Sequence, residues 1–258
     1  MNILVFDIET VPDTELGRRL LDLGELNDEA VAQALFAQRR ADTGSDFLRH
    51  HHQRIIAIAG LVRTGDKLRV DSLGEIESSE AELIRRFFDL IERYTPTLVS
   101  WNGSGFDLPV LHYRALRHGI TAPRYWETGE RDSAFRYNNY LNRYHLRHTD
   151  LMDLLSLYQP RAVAPLDEIA LLLGLPGKMG MNGGQVWQAF QSGELAKIRH
   201  YCETDVLNTY LVYLHFERMR GHLDDTGFTQ EQQRLREYLI SKDRHHFQEF
   251  LVAWPENK

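Results

Sequence analysis

The chain has 258 residues, 43% of them hydrophobic, and a formal charge of -7 at neutral pH. There is apolar material for a substantial core, as one large domain or two small ones. The negative balance excludes a protein that coats nucleic acid through general attraction to phosphates, since that needs a broadly basic surface. An enzyme gripping a few nucleotides with local basic groups remains open. The one cysteine, Cys202, can form no internal disulfide, and no apolar run reaches the ~18 residues of a membrane span. Residue 2 opens on a strand-like segment instead of a leader, so the expected setting is reducing and cytoplasmic, with no membrane partner.

Residues 2 to 10 are rich in β-branched and aromatic side chains and stop before Pro12, which predicts a strand buried on both faces. Residues 15 to 42 carry Leu16, Leu20, Leu23, Val31 and Leu35 at helical spacing among many charges, so two amphipathic helices are expected there. Residues 54 to 62, a short turn at 63 to 67 and residues 68 to 73 read as an antiparallel hairpin. A helix at 80 to 94 leads through Pro96 into a strand at 97 to 101, a crossover onto a sheet. From residue 107 onward helices are expected at 107 to 118, 149 to 158, 166 to 173, 185 to 191 and 194 to 220. The glycine-rich stretch at 175 to 184 reads as a loop, and the segment after 221 as a helical tail with a helix at 229 to 241.

Asp7 and Glu9 are two apart in the first strand, so both face one side while Ile8 faces the other. Two carboxylates crowded on an apolar strand repel and lose solvation, at a cost of order several kcal/mol unless a positive charge lies between them. Divalent cations would supply it, and hard oxygen ligands suit magnesium or manganese; a strand end where both acids reach water is the plainer reading. Asp107 begins a helix after a glycine-bearing turn and, with Pro109 close behind, has the signature of an ordinary helix cap. Strand ends are also where sites gather in α/β sheets. Tyr201 and Asp205 are four apart on the long helix, on one face, beside an apolar stripe of Leu195, Ile198, Cys202 and Val206. Each motif alone is unremarkable.

Together and in order they resemble a known family. Phe6-Asp-Ile-Glu-Thr10, Trp101-Asn-Gly-x-x-Phe-Asp-Leu-Pro109 and Tyr201-x-x-x-Asp205 resemble the three exonuclease motifs of the DEDD superfamily. More narrowly they are similar to the proofreading exonuclease domain of family B DNA polymerases, here without a polymerase. The resemblance spans residues 1 to 215 and implies an α/β, ribonuclease H-like fold: a central mixed sheet of about five strands, the first three antiparallel, flanked by helices. It implies an exonuclease domain over residues 1 to 220, with a helical insertion at about 13 to 50 and residues 221 to 258 as a helical extension of the same domain.

By the same resemblance, Asp7, Glu9, Asp107 and Asp205 hold two magnesium or manganese ions. The substrate would be the 3' end of a single-stranded nucleic acid, with Thr10, Asn102 and Phe106 against its terminal nucleotides. The superfamily divides on the residue that assists the water, a Tyr four before the last Asp or a His five before it, and both Tyr201 and His200 are present. The second motif favours Tyr201. Neighbouring helix positions diverge by about 100°, so only one of the two can face the site with Asp205. A phenol with a pKa of about 10 is a poor base at neutral pH, so Tyr201 is expected to orient the water.

Several other residues invite a role. His50, His51 and His52 precede a strand without a partner cysteine and read as a solvated loop. Asp150 and Asp153 read equally as extra ligands or as a helix cap. Lys178, in the glycine-rich loop, could meet a phosphate or only water. The motifs do not separate a DNA enzyme from an RNA 3'-end trimming exonuclease, nor by themselves from a non-catalytic binding protein of the same fold.

Overall fold

The computed structural model describes residues 1–255. Five strands form one sheet: β1 (Asn2–Pro12), β2 (Gln53–Thr64), β3 (Lys67–Ser72), β4 (Thr97–Ser100) and β5 (His148–Asp150), in the order β3-β2-β1-β4-β5. The first three run antiparallel and β4 and β5 join β1 in parallel. This is the α/β, ribonuclease H-like architecture expected, with the hydrophobic strand β1 at its centre.

Between β1 and β2 lie α1 (Thr14–Leu21) and α2 (Asp28–Thr43), where the paired amphipathic helices were expected. Asp13 caps the first by accepting from Leu16 N at 3.0 Å, and Asn27 caps the second at Ala30 N, 2.9 Å. Next come α3 (Glu80–Tyr94) and α4 (Asp107–Arg117), then α5 (Leu151–Leu155), α6 (Leu166–Leu172), α7 (Val186–Gln191), α8 (Leu195–Met219), α9 (Asp225–Ile240) and α10 (His245–Ala253).

The two faces of β1 meet different helices, and this positions the site. Its even residues Leu4, Phe6 and Ile8 join a core with Ile84, Phe87 and Leu111 from α3 and α4. Its odd residues Ile3 and Val5 join a second core with Cys202, Val206 and Tyr210 of α8. Continuing that odd row, Asp7 and Glu9 come up against α8. Just beyond Glu9 the pairing with β2 slips: Glu9 faces Ala57 and Thr10 faces Ile55, which leaves Ile56 as an extra residue. Such a bulge sharpens the local twist of a strand and redirects the side chains around it.

One element departs from expectation. Residues 149 to 158, expected as helix, begin as β5, and α5 occupies only residues 151 to 155. The β-branched Thr149 pairs with Val99 of β4, and the Asp150 carboxylate takes the Met152 N–H at 3.2 Å, so the helix starts only after it. A three-residue strand is too short to show an alternating pattern. The tail is also more integrated than its sequence suggests: Phe228, Leu235, Leu239, Phe247, Phe250 and Trp254 are all buried in the α8 core. Among the described residues no helix is long and apolar enough to cross a membrane.

Candidate active site

Asp7 and Glu9 reach the interface with α8 at the end of a fully apolar row, and there they meet Cys202. The ligand atoms of these three residues all lie within 4.8 Å of one another. The Cys202 thiol donates to the Asp7 carboxylate across 3.3 Å. Burial first, then the charges of Asp107 and Asp205, push the Asp7 carboxyl well above the usual carboxylate range. Glu9 is raised in the same way, by burial and then by Asp7, Asp205 and Asp107. The four carboxylates are therefore electrostatic neighbours, with Asp7 and Glu9 as the tight pair and Asp107 and Asp205 around them.

Asp107 stands at the first turn of α4, but its side chain is not spent on capping that helix. Its Oδ1 accepts the Ile8 N–H at 3.1 Å, across 99 residues of chain, so the carboxylate is aimed at β1 between the first two acids. Burial raises its pKa to about 7. The turn that delivers it, Asn102 to Phe106, is held from β5: Asp150 accepts from Asn102 N at 2.9 Å and from Ser104 N at 2.8 Å. Asp150 is thus both the cap of α5 and the brace of this turn. Asn102 has a left-handed φ of 63°, and Gly103 is required because a Cβ there would lie 2.3 Å from Ser100 Oγ. Phe106 packs on Phe47, ring centroids 5.4 Å apart, and on His50, whose Nε2 lies 2.7 Å from Gly105 O. Of the three histidines at 50 to 52 it is His50 that supports this turn, while His51 packs on His52 and Tyr113; among the described residues they form no metal cluster.

On α8, Tyr201 is buried one turn before Asp205, close enough for the two groups to shift one another's pKa. Burial and the charges of Asp205, Glu9 and Asp7 drive the phenol pKa far upward, so it keeps its proton. Asp205 is raised to about 6, by burial against the opposing effects of Tyr201 and Lys178. His200 points elsewhere: it is exposed and stacks on His246 of α10, centroids 4.0 Å apart and planes within 10°. It borders a cavity of about 280 Å³ shared with Tyr201, Lys197 and His246. Thr10, beside the bulge, bonds Gln53 Oε1 at 3.0 Å.

Sequence reasoning missed one contributor, Cys202, and left a second, Lys178, open between a phosphate contact and a solvated lysine. Cys202 reads as one more apolar stripe residue, and only the packing of α8 on β1 brings its sulfur to Asp7. Lys178, in an exposed loop, lies close enough to Glu9 and Asp205 to lower the pKa of both. Its backbone is fixed by a 2.6 Å bond to Asp167 at the start of α6. A lysine in a glycine-rich loop was the available signal.

One ammonium cannot balance four carboxylates. The raised pKa values express a surplus of buried negative charge, and an oxygen-rich set of this kind suits a hard divalent cation. A sheet of this topology, with an acid pair on its central strand and two more acids from a flanking turn and helix, defines a phosphodiester-cleaving nuclease class. The chain belongs to the family described as a predicted 3'-5' exonuclease related to the exonuclease domain of PolB, which matches residues 45–254. That span takes in Asp107, Tyr201 and Asp205 and starts after Asp7 and Glu9.

Curated relatives agree. The chain is 49% identical over 51 residues to DNA polymerase 1 of Sulfurisphaera ohwakuensis, covering 20% of this chain and 6% of that one. It is 30% identical over 107 residues to DNA polymerase 1 of Sulfolobus acidocaldarius, covering 42% and 10%. It is 26% identical over 154 residues to a DNA polymerase of Archaeoglobus fulgidus, covering 58% and 19%. Each match thus takes in less than a fifth of the polymerase's length.

Proposed function

We propose that this exonuclease removes nucleotides one at a time from the 3' end of single-stranded DNA, releasing nucleoside monophosphates, in a cytoplasmic setting. The observation that carries the reading is the buried surplus of carboxylate charge where β1, the start of α4 and α8 converge. The similarity to DNA polymerases supports DNA over RNA as substrate.

In this reading Asp7, Glu9, Asp107 and Asp205 would hold two magnesium or manganese ions. Such ions, when bound, supply the Lewis acidity that activates water and stabilises the departing 3' oxygen. Tyr201 keeps its proton, takes no role as base and orients the attacking water through its hydroxyl. The water oxygen forms the new bond to phosphorus and loses a proton to solvent, the bond from phosphorus to the 3' oxygen breaks, and the departing 3' oxygen takes up a proton from solvent to leave as the hydroxyl of the shortened strand. Cys202 holds Asp7 at a set angle. Lys178 neutralises part of the charge beside Glu9 and Asp205. Asn102 and Phe106, on the braced turn, and Thr10, at the bulge, are positioned to meet the terminal nucleotides.

The test is degradation of end-labelled DNA and RNA strands with magnesium or manganese, beside the Asp7→Ala protein. A ladder shortening from the 3' end of DNA, absent with Asp7→Ala, is expected. No ladder from either strand overturns the enzyme, and a ladder from RNA alone moves the substrate to RNA 3' ends.

A further inference from the structure

Flanking β5, the chain exposes aromatic rings that the fold does not need. Tyr137 is 83% exposed and Tyr144 70%. Tyr144 meets Tyr158 edge to face, centroids 5.1 Å apart, and the Arg143 guanidinium lies 4.6 Å from the Tyr158 ring centre. The Tyr158 hydroxyl donates to Arg143 O at 3.0 Å, which locks the group together. Leu157 and Tyr158 take left-handed φ values of 51° and 60° in succession, a conformation unusual for bulky residues and one that concentrates at functional surfaces. Residues 131 to 161 hold five arginines against three aspartates, in a chain whose overall charge is -7. Arg136 and Arg161 are exposed and have no carboxylate partner among the described residues.

The same segment is tied to the carboxylate centre through β5, whose last residue Asp150 braces the turn that carries Asp107. Rings that offer a π face, a guanidinium among them and unpaired arginines nearby match the chemistry of a single strand, with bases to stack and phosphates to neutralise.

We propose that Tyr144, Tyr158 and Arg143, with the exposed Tyr137 of the same segment, form a stacking platform for bases of the single strand upstream of its 3' end, and that Arg136 and Arg161 hold its phosphates. The direction of the strand rests on the exonuclease reading; the binding does not. A strand shorter than the reach of the platform engages only the carboxylate centre, so the platform adds affinity only to longer strands.

The experiment is fluorescence anisotropy of labelled oligothymidylates of about 4 and about 12 nucleotides, bound to the full chain in chelator so that nothing is hydrolysed. The longer strand is expected to bind wild type more tightly than the shorter. Tyr137→Leu with Tyr144→Leu, both at exposed positions that leave the core intact, weakens the longer strand about fivefold or more and leaves the shorter unchanged. Tyr144→Phe, which keeps the ring, binds as wild type does. Arg136→Gln with Arg161→Gln lowers the slope of log affinity against log salt by about 1 to 1.5. Wild-type affinity in the leucine variant overturns the platform, as does a wild-type protein that holds neither strand. If the leucine variant loses affinity while wild type degrades nothing in magnesium or manganese, the platform stands and the exonuclease reading fails.

Discussion

Tyr201 stands one helical turn before Asp205 at the edge of a centre that holds three further carboxylates, while its neighbour His200 turns outward to His246. Removing the hydroxyl should therefore matter and removing the imidazole should not. Tyr201→Phe is expected to lower the rate of strand shortening by about ten- to hundredfold, and His200→Ala by less than about threefold. The reverse ranking would transfer the water-orienting role to the histidine. The carboxylates make a second prediction, in pH. Asp107 and Asp205 titrate at about 7 and about 6 in the fold, and both lie near 4 in an unfolded chain. A raised carboxyl binds its proton more tightly when folded, so its contribution to stability is complete below pH ~4 and is lost as pH rises through about 7. In chelator, Asp107→Asn should thus be more stable than wild type at pH ~8, by roughly 1–3 kcal/mol, and equal to it near pH ~4, read as unfolding midpoints. Manganese should raise the wild-type melting temperature more at the higher pH. The parity of a strand and the turn of a helix made the acids and Tyr201 legible as candidates. They could not show that Cys202 and Lys178 belong with them, because those approaches depend on how α8 and a loop are laid over the sheet.

At the scale of elements, α4 is anchored behind its first turn by one side chain. Arg114 bonds Asp13 at the end of β1 and grips Glu80 of α3 through Nε and Nη2 at 2.7 and 2.6 Å; Arg114 and Asp13 are buried and Glu80 is partly so. Glu80 also accepts the Ile55 N–H at 2.7 Å, next to the extra residue of β2. Cutting the arginine leaves the buried Asp13 without its ion pair and Glu80 with only His118 and the Ile55 N–H, so Arg114→Met is expected to destabilise by about 3–5 kcal/mol in a urea melt. A change under about 1 kcal/mol would mean that water replaces the guanidinium. None of these partnerships could be read from the chain, where Asp13, Glu80 and Arg114 look like ordinary charges on amphipathic helices. Element types were legible where the pattern ran long, as in β1, α3 and α8. They were not in β5, where three residues carry no period and the local signals for a cap dominated.

For the molecule as a whole, the two C-terminal helices supply six large apolar side chains to the core around α8. At about 1.5–3 kcal/mol for each buried side chain, their loss is as large as the net stability of ~5–15 kcal/mol that ordinary domains possess. A chain ended at residue 222 should therefore show no cooperative thermal transition, and a sharp melt from it would refute that dependence. The tail reads as polar because its charged faces outnumber its apolar ones in sequence; its fraction of the core becomes visible only when α9 and α10 are packed on α8.

Cys202 is the chain's one thiol, fully enclosed between α8 and β1, with its pKa raised by burial and by Asp7 and Glu9. A thiol in that condition reacts with an alkylating reagent only when the helix lifts from the strand. Its labelling rate under native conditions is thus an opening clock set at the heart of the carboxylate centre, and the chain needs no engineered probe for it. Manganese that clamps the two elements together should slow that clock.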